Sequence, residues 1–365
     1  MHKKTFFITG GGTGGHIYPA IAVADELLAK GDSTIYYIGN PNNLEASIVK
    51  DKTYEFLPVI SSGMPRKASF AFVKWTIQMF LAWIKCCTYI KKYKPDIIFG
   101  TGGYVSAPIL FAGLTMKVPF VMHDCDAIPG LVTRKMSPYA KSISIAFDVA
   151  KQYLKNKECY VNGNPIRTTF KSLTKEQAKK DLGLDNKLTI CIMGGSQGAK
   201  KINDATVNIL QKLSKELDLQ IIFQTGKRNF EQVEKQLSET YPNYKNDKNI
   251  IIRPYFEDMV TVLKASDIAV SRAGSLSISE LCASAVATIF IPYPHAAADH
   301  QRKNAKYMVE KGAGLYLEDS NTNPETLLEL ITSILQPEKL QTIQQATASL
   351  AKFDGVEEII KQLNC

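Results

Sequence analysis

Ile8-Thr9-Gly10-Gly11-Gly12-Thr13-Gly14-Gly15 and Ile192-Met193-Gly194-Gly195-Ser196-Gln197-Gly198-Ala199 are the two stretches that decide the fold. Each ends a short apolar run, turns on glycines and leads into a helix-length amphipathic segment, near Ile17 in one and Lys201 in the other. A strand, a side-chain-free turn and a helix is the opening unit of a doubly wound parallel sheet. It occurs twice, at the head of each half, so the chain reads as two such domains in tandem.

The rest of the sequence keeps that rhythm of short apolar runs and amphipathic helices, the mark of α/β structure. Strands are expected at Thr5–Thr9, Thr34–Ile38, Phe56–Ile60, Asp96–Phe99, Pro119–His123, Ser142–Phe147 and Cys159–Val161. The second set is Leu188–Met193, Gln220–Gln224, Ile250–Arg253, Ile268–Ser271 and Thr288–Ile291. The turn-rich Asn162-Gly163-Asn164-Pro165 marks the join. The expected division is therefore residues 1–165 and 166–342, with a C-terminal helical segment, 343–365, returning to the first domain. A chain of 365 residues exceeds what one core usually supports, which agrees with two domains.

Hydrophobic residues at 45% and charged residues at 22% are ordinary for a globular protein and exclude disordered and fibrous classes. No uninterrupted apolar run reaches the roughly 20 residues of a spanning helix. The apolar part of MHKKTFFITG is too short for a secretory signal and reads as the first strand. The seven cysteines form no CxxC pair and no spacing with histidine suited to a metal. They fit a reducing, cytoplasmic setting as small apolar side chains. The net charge of +9 favours anionic partners without naming one.

Glycine turns let backbone N–H groups approach a phosphate, and the following helix adds its positive end. Gly10-x-Gly12-x-x-Gly15 matches the dinucleotide fingerprint, but the second strand ends Ile38-Gly39-Asn40 without the acid that would hold a ribose. No Gly-Lys-Ser or Gly-Lys-Thr follows either turn, so a Walker loop is excluded. A third turn, Gly100-Thr101-Gly102-Gly103-Tyr104-Val105-Ser106, follows the strand at Asp96–Phe99. Tight strand-to-helix packing explains any one of these turns. Three at strand carboxyl ends suit a diphosphate donor together with a phosphorylated acceptor.

Six motifs in order then resemble the MurG family. They are Gly11-Gly12-Thr13-Gly14-Gly15-His16, Gly102-Gly103-Tyr104-Val105-Ser106, Gly163-Asn164-Pro165-Ile166-Arg167, Gly194-Gly195-Ser196-Gln197-Gly198-Ala199, Ser271-Arg272-Ala273-Gly274-Ser275 through Glu280, and Pro292-Tyr293-Pro294-His295 through Asp299-His300-Gln301 with Asn304-Ala305. The resemblance covers nearly the whole chain. It implies a GT-B fold, two Rossmann-like domains facing across a cleft, and an inverting hexosyltransferase. The transfer would move N-acetylglucosamine from its uridine diphosphate carrier (UDP-GlcNAc) to an undecaprenyl-pyrophosphoryl muramyl peptide, completing lipid II of peptidoglycan.

Carried over by motif, the resemblance makes Thr13, Gly14, Gly15, Tyr104, Asp126, Arg167, Ser196 and Gln197 substrate-binding candidates. Phe256 would lie near the uracil, or is simply core. The start of a helix at Ser275, Leu276 and Ser277 leads to Glu280, which would accept the donor's ribose hydroxyls; its plainer reading is a solvated helix charge. His300 and Gln301 would meet the sugar hydroxyls. His16 is the candidate base, since an imidazole suits that task, against a helix-start residue bonded to backbone. Where the family usually has His-Glu-Gln-Asn, this chain has His123-Asp124-Cys125-Asp126. Asp124 and Asp126 are accordingly acceptor-site or auxiliary base candidates. No cofactor and no metal site are implied. Related readings are a transferase of the same fold acting on another lipid, a UDP-sugar epimerase, or a non-catalytic sugar-nucleotide binder.

Between Phe56 and Pro95 there is no Asp or Glu, while Arg66, Lys67, Lys74, Lys85, Lys91, Lys92 and Lys94 all lie there with both tryptophans. A helix from about Phe70 to Tyr93 is either an apolar face for an anionic membrane surface, with contacts spread over 64–94, or a core helix with snorkelling lysines. The resemblance favours peripheral attachment at the cytoplasmic leaflet. No nucleic-acid recognition motif accompanies the charge.

Overall fold

The protein is described by a computed structural model covering residues 3–65 and 70–364. The chain forms two compact units: residues 1–166 with 354–365, and Arg167–Phe353. In the first, β1 (Lys4–Thr9), β2 (Ser33–Gly39), β3 (Glu55–Pro58), β4 (Ile97–Gly100), β5 (Phe120–Asp124), β6 (Ser142–Ile145) and β7 (Cys159–Val161) make one sheet. Its order is β3-β2-β1-β4-β5-β6-β7, with every pairing parallel. The central strands β4, β5 and β6 are buried throughout, as are Phe6 to Ile8 of β1, because helices cover both faces.

In the second unit, β8 (Thr189–Met193), β9 (Gln220–Gln224), β10 (Ile250–Arg253), β11 (Ile268–Ser271), β12 (Ala287–Phe290) and β13 (Leu315–Tyr316) form a parallel sheet in the order β10-β9-β8-β11-β12-β13. Only β13 was not anticipated. Two residues are too few to carry a periodicity, and pairing with Ile289 and Phe290 alone makes them a strand.

In each sheet the winding reverses once, between β1 and β4 and between β8 and β11. Open α/β sheets bind ligands outside the carboxyl ends at that reversal. Both long glycine turns, and the turn after β4, lie there.

The returning C-terminal segment is shorter than the expected 343–365. The helix Pro337–Ser349 stays with the second unit, and the chain rejoins the first at Asp354. The helix Gly355–Asn364 buries Ile359, Ile360 and Leu363 in one cluster with Ile17, Ala20 and Ala24 of the helix Gly14–Ala29. It can start so close because Gly355 lacks a Cβ, which would stand 3.1 Å from the Asn164 carbonyl oxygen.

The helix Phe70–Tyr93 is not a core helix. Among its residues only Ala82, Cys86 and Ile90 are buried, a single stripe at four-residue spacing. Phe70, Val73, Ile77, Phe80, Leu81 and Ile84 are exposed. The helix is long and apolar enough to cross a bilayer by length and composition. Its sequence shows no uninterrupted apolar run of that length because Lys74 and Lys85 punctuate it. Arg66 and Lys67, the first cations of the expected basic stretch, fall outside the described residues.

Candidate active site

In the first unit the turn after β1 and the turn after β4 interlock around His16. Its Nδ1 lies 2.9 Å from the carbonyl oxygen of Thr101, and the Thr101 hydroxyl donates back to the His16 carbonyl at 2.5 Å. A carbonyl oxygen can only accept, so Nδ1 carries the proton and Nε2 of the neutral ring holds the lone pair. Gly102 and Gly103 run in the left-handed region, at φ 93° and 74°. A Cβ on either would come within 3.2 Å of the imidazole. The ring therefore has its place because two consecutive residues carry no side chain.

Glu45 is buried and faces the same turn. Its carboxylate accepts from the amides of Gly12 (3.2 Å) and Asn40 (3.1 Å) and from the Asn43 side chain (3.3 Å). Asn43 in turn donates to the Tyr104 hydroxyl at 2.9 Å. This changes the reading of the first turn as an open anion cradle: the Gly12 amide already has an internal anion. Gly14 and Gly15 open the helix behind it with no capping side chain. Thr13 is exposed at the N-cap position, and its carbonyl accepts from the amides of His16 and Ile17.

Asp124 is buried at the end of β5, and both oxygens are engaged, one by the amide of Asp126 (3.2 Å), the other by that of Gly130 (3.1 Å). Burial, then the Asp126 charge, pushes its carboxyl above the usual range. Its geometry is that of a loop fastener rather than a group presented to a substrate. Asp126 is half-buried in that loop. Next to them, His123 is held neutral: burial lowers its pKa to about 4, and its ring lies 3.0 Å from both Ser144 Oγ and Asn164 Oδ1. Cys125 brings its sulfur within 3.8 Å of His16 Nδ1.

In the second unit the turn after β8 is built differently. Gly198 and Gly226 approach so closely that a Cβ on Gly198 would lie 2.0 Å from the Thr225 carbonyl oxygen. Asn229 donates to the Gln197 carbonyl at 3.1 Å, and Gln224 to that of Gly195 at 3.3 Å. The Ser196 and Gln197 side chains are left exposed at the tip. No side chain caps the helix Lys200–Lys215 that follows.

The helix Ser275–Ala283 starts after β11, and Gly274 gives it no side-chain cap either. Ser275 is buried at its start, while Leu276 and Ser277 are half-buried on the first turn. Glu280 stands half-buried on the next turn, its carboxylate without a hydrogen-bond partner among the described residues. Burial pushes its carboxyl up to about 7, opposed by the charge of Arg167. Two expected site residues are thus brought together.

The segment from Pro292 to Gln301 completes this end of the sheet. Ala298 and Asp299 are both left-handed, at φ 51° and 58°, a strained pair that aims the helix His300–Glu310. Gln301 Oε1 accepts from the amides of Ala273 (3.3 Å) and Tyr293 (3.0 Å), tying two loops together. His300 Nδ1 meets the Ala297 carbonyl at 2.8 Å. Arg272, which the motif contains but the sequence left without a role, pairs with Asp319 at 2.7 Å and donates to the carbonyls of Ile291 and Pro292.

Phe256 is buried, at 3% exposure. Its amide donates to Gln224 Oε1 at 2.9 Å, which makes it a brace for the same turn. Among the described residues no group of three or more His, Cys, Asp or Glu side chains is arranged to hold a metal ion.

Sequence comparison bears on the same elements. Residues 6–145 match the Glycosyltransferase family 28 N-terminal domain, and residues 189–363 its C-terminal domain. The UDP-N-acetylglucosamine--N-acetylmuramyl-(pentapeptide) pyrophosphoryl-undecaprenol N-acetylglucosamine transferase of Desulforamulus reducens is 36% identical over 358 residues, 97% of this chain and 96% of that one. The chain belongs to the MurG family. The crystal structure of Acinetobacter baumannii MurG superposes with a TM-score of 0.78 at 27% identity, over 99% of each chain. A UDP-GlcNAc 2-epimerase from Neisseria meningitidis also superposes, with a TM-score of 0.67 over 99% of each chain. At 13% identity it shares the fold alone. The MurG relationship fixes a glycosyltransferase of family 28 with two Rossmann-like domains.

Proposed function

We propose that the chain transfers N-acetylglucosamine from UDP-GlcNAc to an undecaprenyl-pyrophosphoryl muramyl peptide, the lipid I to lipid II step of peptidoglycan synthesis. The observation that carries it is Glu280, a carboxylate kept near neutrality by burial and lacking any donor of its own. Two ribose hydroxyls would supply the missing hydrogen bonds, and bonds to an ionised acceptor are the strong ones. Ser196, Gln197 and the uncapped helix behind them lie across the sheet reversal, where backbone amides suit a diphosphate. Gln301 N–H₂ and His300 suit sugar hydroxyls.

His16 then serves as base. The acceptor hydroxyl oxygen attacks the anomeric carbon, its proton passes to Nε2, and the bond from that carbon to the diphosphate breaks with its electron pair leaving on UDP. Attack opposite the leaving group inverts the centre. Arg167 and the positive helix ends offset the charge that develops on the diphosphate. Thr13, Gly14, Gly15, Tyr104 and Asp126 line the acceptor side in this reading, and Asp124 holds the loop that carries Asp126.

The exposed face of the helix Phe70–Tyr93 supports attachment to an anionic membrane at the cytoplasmic leaflet. Its apolar side chains are flanked by Lys74, Lys85, Lys91 and Lys92, while the buried stripe at Ala82, Cys86 and Ile90 keeps it on its own unit. That suits an interfacial helix better than a spanning one. A turnover assay separates the readings. UDP-GlcNAc with a lipid I analogue should give the disaccharide lipid and UDP. UDP-GlcNAc alone, converted to its 2-epimer without acceptor, would replace the transferase with an epimerase.

A further inference from the structure

We infer that Thr101 is a positioning residue that sets the protonation pattern of His16. The inference rests on the reading of His16 as the base. Thr101 is buried and grips His16 at two points: its carbonyl receives Nδ1–H at 2.9 Å, and its hydroxyl donates to the His16 main-chain carbonyl at 2.5 Å. The same hydroxyl lies 3.3 Å from the Thr9 carbonyl, and the Thr101 amide donates to that carbonyl at 2.9 Å. One residue thus ties the end of β1, the start of the helix Gly14–Ala29 and the turn after β4. The hydroxyl holds the backbone, and the backbone carbonyl holds the ring.

The consequence is chemical. Which imidazole nitrogen is protonated depends on the hydrogen bond made by the other. With Nδ1–H committed to a carbonyl that cannot donate, Nε2 carries the lone pair at every pH where the ring is neutral. A base on a mobile side chain would spend part of its time in the other tautomer, unable to take a proton from the same direction. Gly102 and Gly103 make the contact possible, since neither position tolerates a Cβ beside the ring.

Two measurements test this on the full-length protein. In ¹⁵N-histidine-labelled wild type, the neutral His16 ring should show a protonated Nδ1 and a bare Nε2; an Nε2–H tautomer overturns the inference and needs no variant. Thr101→Val removes the hydroxyl at nearly constant volume. It should lower kcat about 10-fold or more, leave the KM for UDP-GlcNAc within about 2-fold, and move the acidic limb of the kcat–pH profile; Thr101→Ser should recover most of the loss. A folded Thr101→Val enzyme with wild-type kcat and pH profile overturns it too. If His16→Ala itself keeps full activity, the base assignment fails, whereas the tautomer measurement still reports on Thr101.

Discussion

The two glycine turns that open the halves look alike in sequence and are finished in opposite ways. The turn at Gly10–Gly15 is braced from within by a buried carboxylate, Glu45, on the Gly12 amide, and by Thr101 on His16. The turn at Gly194–Ala199 is braced from behind, by Gln224, Asn229 and Gly226, and keeps Ser196 and Gln197 in solvent. The same strand–turn–helix unit therefore does two jobs. One turn carries its own anion and presents an imidazole; the other leaves its tip exposed.

Breaking the first turn's chemistry should have the largest effect. His16→Ala is expected to lower kcat by about 10² to 10⁴, with UDP affinity unchanged by calorimetric titration. Breaking the second should do the reverse. Glu280→Ala removes an acceptor of charge-assisted hydrogen bonds worth about 1.5–3 kcal/mol, so UDP binding should weaken roughly 10- to 100-fold. Glu45→Gln sharpens the contrast, because it places an amide N–H₂ among N–H donors. It should lower stability by about 1–3 kcal/mol, seen as a lower thermal midpoint, without weakening UDP binding.

The smallest effect is one of pH. Glu280 has a carboxyl raised to about 7, and in the proposed role ribose hydroxyls would bind its ionised form. Protons therefore compete with donor as the pH falls through 7. UDP affinity should drop by up to about 10-fold per pH unit below that point, and Glu280→Gln should abolish the slope. The sign for the ligand-free protein is opposite: a carboxyl raised by burial binds its proton more tightly when folded, so its contribution to stability declines as pH rises toward 7 and above.

Much of this was legible in the sequence, for a physical reason. Parallel strands buried on both faces are continuous apolar runs, and glycines that must take φ > 0 or admit a neighbour cannot be hidden. Twelve strands and their division between two doubly wound domains follow from those signals. Glu45 was not legible: the second strand ends Ile38-Gly39-Asn40 without an acid, and the chain bends so that a glutamate five residues later reaches the turn. Thr101 meets the His16 ring through its main-chain carbonyl, which no residue type advertises, and its hydroxyl meets main-chain carbonyls. Phe256 kept two readings in the sequence because an aromatic beside a ligand loop and one inside a core share one letter. The helix Phe70–Tyr93 left two readings open until burial showed three residues facing inward.

Backbone amide shifts on adding UDP to the ¹⁵N-labelled protein test the contrast between the turns most directly. The account predicts perturbations concentrated at Gly195–Ala199 and around Gly274–Glu280, with Gly12 unmoved. Shifts centred on Gly10–Gly15, with Gly195–Ala199 silent, would contradict it.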